Sequence, residues 1–274
     1  MTTETTIATG TILDKIVEAK REELVRRQRE EPLDRLRAKT QRFAETLDFA
    51  AALRGTRLRL IAEIKKASPA KGILDAGLEP LSRARAYTLG GAAAISVLTE
   101  TPHFMGKLEY LESIRVGLDR YFPGGRPALL RKDFLFDPYH LFEARAYGAD
   151  AVLLIVAILP DGLLAELLAL AKEFGLGALV EVHDEAELQR ALAAGGEVIG
   201  VNNRDLRSFI TTLEVTERLR PLITPGKIVV SESGLAGAAE AKRVRALRVD
   251  AVLVGEALMT AKDVVAKMRE FMPE

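Results

Sequence analysis

The 274-residue chain contains no cysteine and no tryptophan. The first absence excludes disulfides, thiolate nucleophiles and every Cys-ligated metal centre. Histidine is nearly as scarce, with three copies. His103, His140 and His183 show no ligand spacing, so no metal site is expected; His183 fits a strand-end or helix-capping role. A net charge is also lacking, because 39 basic residues balance 39 acidic ones. No overall field therefore draws the chain to nucleic acid or to an anionic membrane surface. The basic runs KREELVRRQRE (20–30) and AKRVRALR (241–248) are interleaved with apolar residues at helical spacing. They read as solvated helix faces without the stacking aromatics of a nucleic-acid surface. The longest apolar run, Ala151 to Pro160, has about half the length of a membrane span. The N-terminus MTTETTIATG lacks the basic and apolar regions of a secretory signal. The expectation is a soluble cytoplasmic protein, with any anion site confined to a local pocket.

What the chain does have is a repeated alternation. Ahead of it, Ile12, Leu13, Ile16, Val17 and Leu24 recur at helical spacing in a charged segment, which predicts an amphipathic helix. Beyond about Arg57, short runs rich in Val, Ile and Leu alternate with helical patterns. The strands are expected at 58–65, 92–99, 127–132, 150–158, 177–183, 197–202, 227–233 and 250–255. The helices are expected at 80–89, 108–119, 138–147, 161–174, 184–194, 212–220, 236–246 and 262–271. Strands that are apolar nearly throughout imply a parallel sheet buried on both faces. Eight strand–helix pairs imply a closed (β/α)8 TIM barrel over 57–274, with an N-terminal helical extension over 1–56 packed on it. An open doubly wound sheet is the competing α/β fold, but no GxGxxG follows the first strand.

Barrels of this class build their sites from the C-terminal ends of the strands. Those ends carry polar residues that a core strand would not tolerate: Glu63 and Lys65, Lys132, Glu181, Asn202, then Glu232 and Ser233. The opposite ends carry ordinary turn and boundary residues. Because side chains alternate along a strand, Glu63 and Lys65 share one face, and Ile64 takes the other. Isolated buried charges are costly, so these groups must pair or serve a ligand. A second set suggests an anion. SESG after the seventh strand and VGEAL after the eighth place small residues where backbone N–H groups open a helix, a corner that in barrels often holds phosphate. Ser68, just past the first strand, adds a hydroxyl. Together they point to a phosphorylated small molecule.

Five segments in order along the chain, AEIKKASPAKG, SVLTETPHFMG, LLRKDFLFDPY, LVEVHDEAEL with IGVNNRDL, and VVSESGL with VLVGEALM, resemble the indole-3-glycerol-phosphate synthase family. The charged helix ahead of the barrel is similar to that family's N-terminal extension. The resemblance implies a lyase of tryptophan biosynthesis that closes 1-(2-carboxyphenylamino)-1-deoxyribulose 5-phosphate to indole-3-glycerol phosphate with loss of CO2 and water, using no metal or organic cofactor. Glu63, Lys65, Lys132, Glu181, Asn202, Glu232 and Ser233 fall on positions similar to the family's catalytic and substrate-contacting set. Ser68, Gly234, Gly255 and Glu256 fall on its phosphate-contacting positions. Phe104 and Phe134 resemble aromatics that pack on the anthranilate ring, and Arg204 lies in the NxRDL motif. Ala70 replaces the second serine of the commoner SPSKG, and Ala67 stands where some members carry a basic residue.

The resemblance further implies Lys132 as the acid of ring closure, while Glu63, Lys65 and Glu181 share the remaining proton transfers in an order the sequence leaves open. The expected assembly is a monomer or weak homo-oligomer. Rival readings are a phosphoribosylanthranilate isomerase, for which the resemblance implies a Cys base that this chain lacks, an aldolase with a Schiff-base lysine, and a barrel that binds phosphate without turnover.

Overall fold

The computed structural model describes residues 6–43 and 45–272. The first five residues of the N-terminal segment, residue 44 and the last two residues lie outside them. Eight parallel strands close into a barrel: β1 Arg59–Ile64, β2 Ala94–Leu98, β3 Ala128–Lys132, β4 Ala151–Ile155, β5 Gly177–Val182, β6 Val198–Asn202, β7 Ile228–Glu232 and β8 Ala251–Val254. β1 pairs with β2 on one side and with β8 on the other, for example Glu63 with Ser96 and Ile61 with Leu253. Neither sheet edge is left open, so every barrel strand finds its backbone partners within the ring.

The helices are α1 Ile12–Glu30, α2 Leu33–Lys39, α3 Phe49–Leu53, α4 Pro80–Leu89, α5 Leu108–Tyr121, α6 Pro138–Ala146, α7 Asp161–Glu173, α8 Glu185–Ala193, α9 Glu214–Leu219, α10 Ala238–Ala246, α11 Glu256–Met259 and α12 Val264–Glu270. Several of their starts are set by short polar side chains. Asp137, Asp184 and Asp263 each accept a backbone N–H from the first turn of α6, α8 and α12, satisfying donors that a helix leaves unpaired. Pro138 follows its cap at the first helical position, where its missing N–H costs nothing. All eight strands and eight barrel helices fall where the alternation placed them. The expected strand 150–158 is shorter, because β4 stops at Ile155 and Val156–Ile158 forms a 3-10 turn. Both parts are apolar and buried, so hydropathy carries no mark of the boundary. The sequence reading also omitted α2, α3, α11 and a two-residue hairpin pairing Ala67–Ser68 with Gly72–Ile73.

Two readings of charged residues need correction. The run 20–30 is not wholly a solvated face. Lys20 is buried, and its Nζ lies 2.7 Å from Asp133 Oδ2 just past β3. Seven residues on, Arg27 Nε reaches Glu143 Oε1 of α6 at 2.8 Å. Two cations on one face of α1 therefore tie the extension to the third strand–helix unit. The strand starts are not all ordinary either. Asp150, ahead of β4, is fully buried and accepts from Leu47 N, Leu129 N and Arg126 Nη2 at 2.9, 2.7 and 3.0 Å. One carboxylate thus pins the segment between α2 and α3 to the closed end of the barrel. By contrast, Lys242, Arg243 and Arg245 in the other basic run are exposed, as expected.

Asp133 also accepts from Thr99 Oγ1 at 2.6 Å and Arg131 Nη2 at 3.1 Å, so losing Lys20 leaves it partly compensated. Lys20→Met is expected to cost about 3 kcal/mol, the low end for breaking a buried ion pair, measured as a shift in urea-unfolding free energy. An unchanged midpoint would show that α1 is not held by this contact.

Candidate active site

The C-terminal ends of the strands open into a cavity of about 870 Å³. Every residue singled out from the sequence lines it. Glu63 and Lys65 come from the end of β1, Lys132 from β3, Glu181 from β5, Asn202 from β6, and Glu232 with Ser233 from β7. Ser68, Gly234, Gly255 and Glu256 enter from the loops after the neighbouring strands β1, β7 and β8, and Phe104, Phe134 and Arg204 complete the set. The alternation along β1 is as expected: Ile64, between the two charges, is not in the lining.

The charges are paired, one pair within the end of β1 and the others across strands. Lys65 Nζ is 2.6 Å from Glu63 Oε1. Lys132 Nζ lies between two carboxylates, 3.3 Å from Glu181 Oε2 and 3.7 Å from Glu232 Oε2. Asn202 Nδ2 donates to Glu181 Oε1 at 3.2 Å, and Asn202 Oδ1 accepts from Ser233 Oγ at 2.9 Å and Arg204 N at 3.1 Å. Burial alone would drive the ammonium of Lys132 toward neutrality, but the charges of Glu181, Glu232 and Glu63 override it and hold the group protonated well above its usual range. Burial works against the charge of Glu63 too, and Lys65 and Lys132 outweigh it, so its carboxyl is more acidic than usual.

The two carboxylates around Lys132 are not equivalent. Burial raises both, yet Glu181 has Lys132, His183 and Asn202 around it and ends well below the usual carboxylate range. Glu232 is dominated by burial and by the negative charge of Glu181, and is pushed well above that range. The contacts agree, since Oε1 of Glu232 is buried without a hydrogen-bond partner. Of the two, Glu232 holds a proton more readily than Glu181.

Two glycines make room for these groups. A Cβ on Gly200, in the middle of β6, would stand 2.1 Å from Glu232 Oε1, and one on Gly255 would stand 2.3 Å from Glu63 Oε1. Gly255 was singled out from the sequence as a phosphate contact; the structure adds a steric role. Gly200 was missed, although a glycine inside the strand VIGVN is a usable sign of close approach. Ile12, Leu13 and Ile16 of α1 also line the cavity. Nothing in the sequence ties an N-terminal helix to a strand end more than a hundred residues away. Phe104 and Phe134 lie with ring centroids 6.1 Å apart and planes tilted by 36°. The histidines are dispersed. His103 meets Glu100, His140 packs edge-on against Phe136, and His183 follows Glu181 at the end of β5. His183 does have the strand-end role expected of it, with its backbone N–H and Nδ1 both on Glu187 of α8. Among the described residues no group of three or more His, Asp or Glu side chains is placed to hold a metal ion. No helix there is long and apolar enough to cross a membrane.

The fold and this site define a (β/α)8 barrel of the enzyme class, with paired ammonium and carboxylate groups converging at its catalytic face. The family model for indole-3-glycerol phosphate synthase matches residues 13–271. Proteins named indole-3-glycerol phosphate synthase from Roseiflexus castenholzii and Dehalococcoides mccartyi are 53% and 50% identical. The first match covers 95% of this chain and 97% of that protein, the second 95% and 100%. The chain belongs to the indole-3-glycerol phosphate synthase family. Its fold is also similar to 3-hexulose-6-phosphate synthase from Salmonella typhimurium, at 15% identity and a TM-score of 0.62 over 78% of this chain and 96% of that one.

A carboxyl whose folded pKa is raised binds more protons folded than unfolded, so it lowers stability progressively as pH climbs from its unfolded to its folded pKa. Glu232→Gln removes that titration. The variant is expected to be more stable than the parent chain, by a margin that grows from about pH 5 to about pH 8 and then levels off. Thermal unfolding across that range checks it; a margin that shrinks with pH would place the proton elsewhere.

Proposed function

We propose that the chain is a carboxy-lyase that closes 1-(2-carboxyphenylamino)-1-deoxyribulose 5-phosphate to indole-3-glycerol phosphate. The observation that carries this reading is Lys132, a partly buried ammonium held protonated between two carboxylates at the end of β3. Ring closure joins the aromatic carbon bearing the carboxylate to the ketone carbon, and the ketone oxygen gains negative charge as that bond forms. A positioned ammonium both stabilises that charge and supplies the proton. Expulsion of CO2 then restores the ring. Loss of the hydroxyl as water requires a second proton donor and removal of a proton from the substrate. Glu181, ionised and facing Lys132, fits the base. Lys65, paired with Glu63 on the adjoining wall, fits the second acid.

Binding would bring the reacting carbons together from both ends of the substrate. Ser68, Gly234, Gly255 and Glu256 converge from adjoining strands and suit the phosphate, the last through its backbone N–H. Phe104 and Phe134 suit the aromatic ring. Arg204, whose Nε is buried without a hydrogen-bond partner, suits the substrate's carboxylate. On this reading residues 1–56 are an extension of the 57–274 barrel that supplies part of the pocket wall through Ile12, Leu13 and Ile16.

The direct test is to incubate the protein with the carboxyphenylamino substrate and follow indole fluorescence, which no tryptophan in the chain obscures. Turnover is expected, and its absence across pH and temperature would falsify the assignment. Lys132→Ala is expected to lower kcat by roughly 10²–10⁴-fold with a much smaller change in KM; an unchanged kcat would remove Lys132 from the acid role. Borohydride trapping separates the aldolase alternative, which requires a covalent adduct on Lys132 or Lys65.

A further inference from the structure

His183 is not part of the cavity wall, yet it stands directly behind Glu181. Its Nε2 is buried, makes no hydrogen bond, and lies 3.4 Å from Glu181 Oε1. The other side of the ring is fully committed. Nδ1 is 2.9 Å from Glu187 Oε2, and the backbone N–H of the same residue donates to that oxygen at 2.8 Å. Glu187 is itself fixed in the first turn of α8, its N–H donating to the cap Asp184 Oδ1 at 2.8 Å. A carboxylate oxygen only accepts, so Nδ1 must carry a proton. Nε2 then has two options. Unprotonated, it would aim a lone pair at the oxygen of Glu181. Protonated, it aims an N–H at that oxygen, and the ring becomes a cation between two carboxylates.

We infer that His183 is a positioning residue for Glu181: as an imidazolium anchored by Glu187, it holds the Glu181 carboxylate ionised and turned toward Lys132. The catalytic part of this inference rests on Glu181 being the base, as read above. The surroundings of the ring leave the assignment to these groups. Glu181 comes from its own strand and Glu187 from α8, while Lys132 of β3 and Glu232 of β7 lie beyond Glu181. The turn Val156–Ile158 that packs on β5 and α8 brings only apolar side chains, and α7 brings Leu164, Leu167 and Ala171. Arg190, also on α8, is taken up by Asp161 and the carbonyl of Val156. Burial opposes the charge on the ring, but the nearby carboxylate of Glu181 and that of Glu187, hydrogen-bonded to Nδ1, outweigh it and lift the imidazole to about 10.

The charge count across the connected ion pairs then closes. Lys132 and His183 supply two positive charges against the carboxyls of Glu181, Glu187 and Glu232, while Lys65 and Glu63 form a separate pair. One carboxyl is left over, and Glu232, with its unpartnered oxygen, holds a proton most readily. Without the imidazolium a second carboxyl would lack its cation, and Glu181, losing one of its partners, would compete for protons with Glu232.

The ring can be watched without substrate, since only three histidines contribute to a ¹⁵N-imidazole spectrum and His183→Gln identifies the signal. At pH 8, where an ordinary histidine with a pKa of about 6.5 is neutral, both nitrogens of His183 are expected to show protonated shifts. Glu187→Gln and Glu181→Gln should each bring its titration down. A neutral ring at pH 8 in the parent protein overturns the inference. In turnover, His183→Gln is expected to reduce kcat at least about tenfold at pH 7 and to move the acid limb of the kcat profile to higher pH, with KM changed less than about threefold. Glu187→Gln should give a smaller shift in the same direction. A lower melting temperature with kcat and acid limb unchanged would mean that His183 is only structural, and would equally overturn it. A parent protein that turns over no substrate would sink the functional reading, while the spectrum alone would still decide whether His183 is charged.

Discussion

The mouth of this barrel is governed by the cost of burying charge. Glu63, Glu181 and Glu232 are each nearly inaccessible, and an unpaired carboxylate in such a place would be neutralised or would unfold the site. Lys132 resolves the problem by lying between Glu181 and Glu232, on strands far apart in sequence but convergent at one end of the ring. Closing the barrel is what brings these strand ends together. The ion pairs in turn constrain which rotamers the ends can adopt, so fold and site are fixed by the same contacts. The arrangement also separates the two carboxyls chemically. Donors crowd around Glu181 and leave Glu232 short of them, so the first is held ionised more readily than the second although both face the same ammonium.

The same requirement extends to the N-terminal helix. Asp133, immediately beyond Lys132, is buried and must be matched, and α1 supplies Lys20 for it. Asp133 also accepts the backbone N–H of Phe134 through its other oxygen. A single carboxylate therefore fixes the main chain between the ammonium and the aromatic ring while anchoring the helix whose apolar residues complete the wall. The extension is bonded to the most chemically demanding strand end, and its position and that of Lys132 are coupled through one side chain.

The sequence revealed the strands and the polar residues at their ends for a common reason. A charge inside an apolar run contradicts its neighbours, and the contradiction is local. Glu63 within LIAEIK and Lys132 within ALLRK announce themselves in this way. Lys20 does not, because among the alternating charges of KREELVRRQRE nothing distinguishes the one whose partner lies 113 residues away. Asp150 reads as a turn residue in YGAD, and only the closed ring shows three backbone and side-chain donors converging on it. The end of β4 is hidden for the opposite reason: Val156 and Ile158 are as apolar as the strand they follow, and a change of backbone geometry without a change of polarity leaves no trace in hydropathy.

Space is the remaining constraint, and it explains why the glycines matter beyond their turns. A carboxylate folded back over a barrel strand needs a neighbour without a Cβ, and Gly200 and Gly255 provide that room to Glu232 and Glu63. Gly255 opens the corner suited to phosphate and also seats Glu63, whose charge keeps Lys65 in place. The corner suited to phosphate and the Lys65–Glu63 pair therefore share one residue. Lys132 stands two strands away, on β3, between its own pair of carboxyls. The two pairs are not independent, because Glu63 and Lys132 act on each other's charge across the mouth as well as on their direct partners.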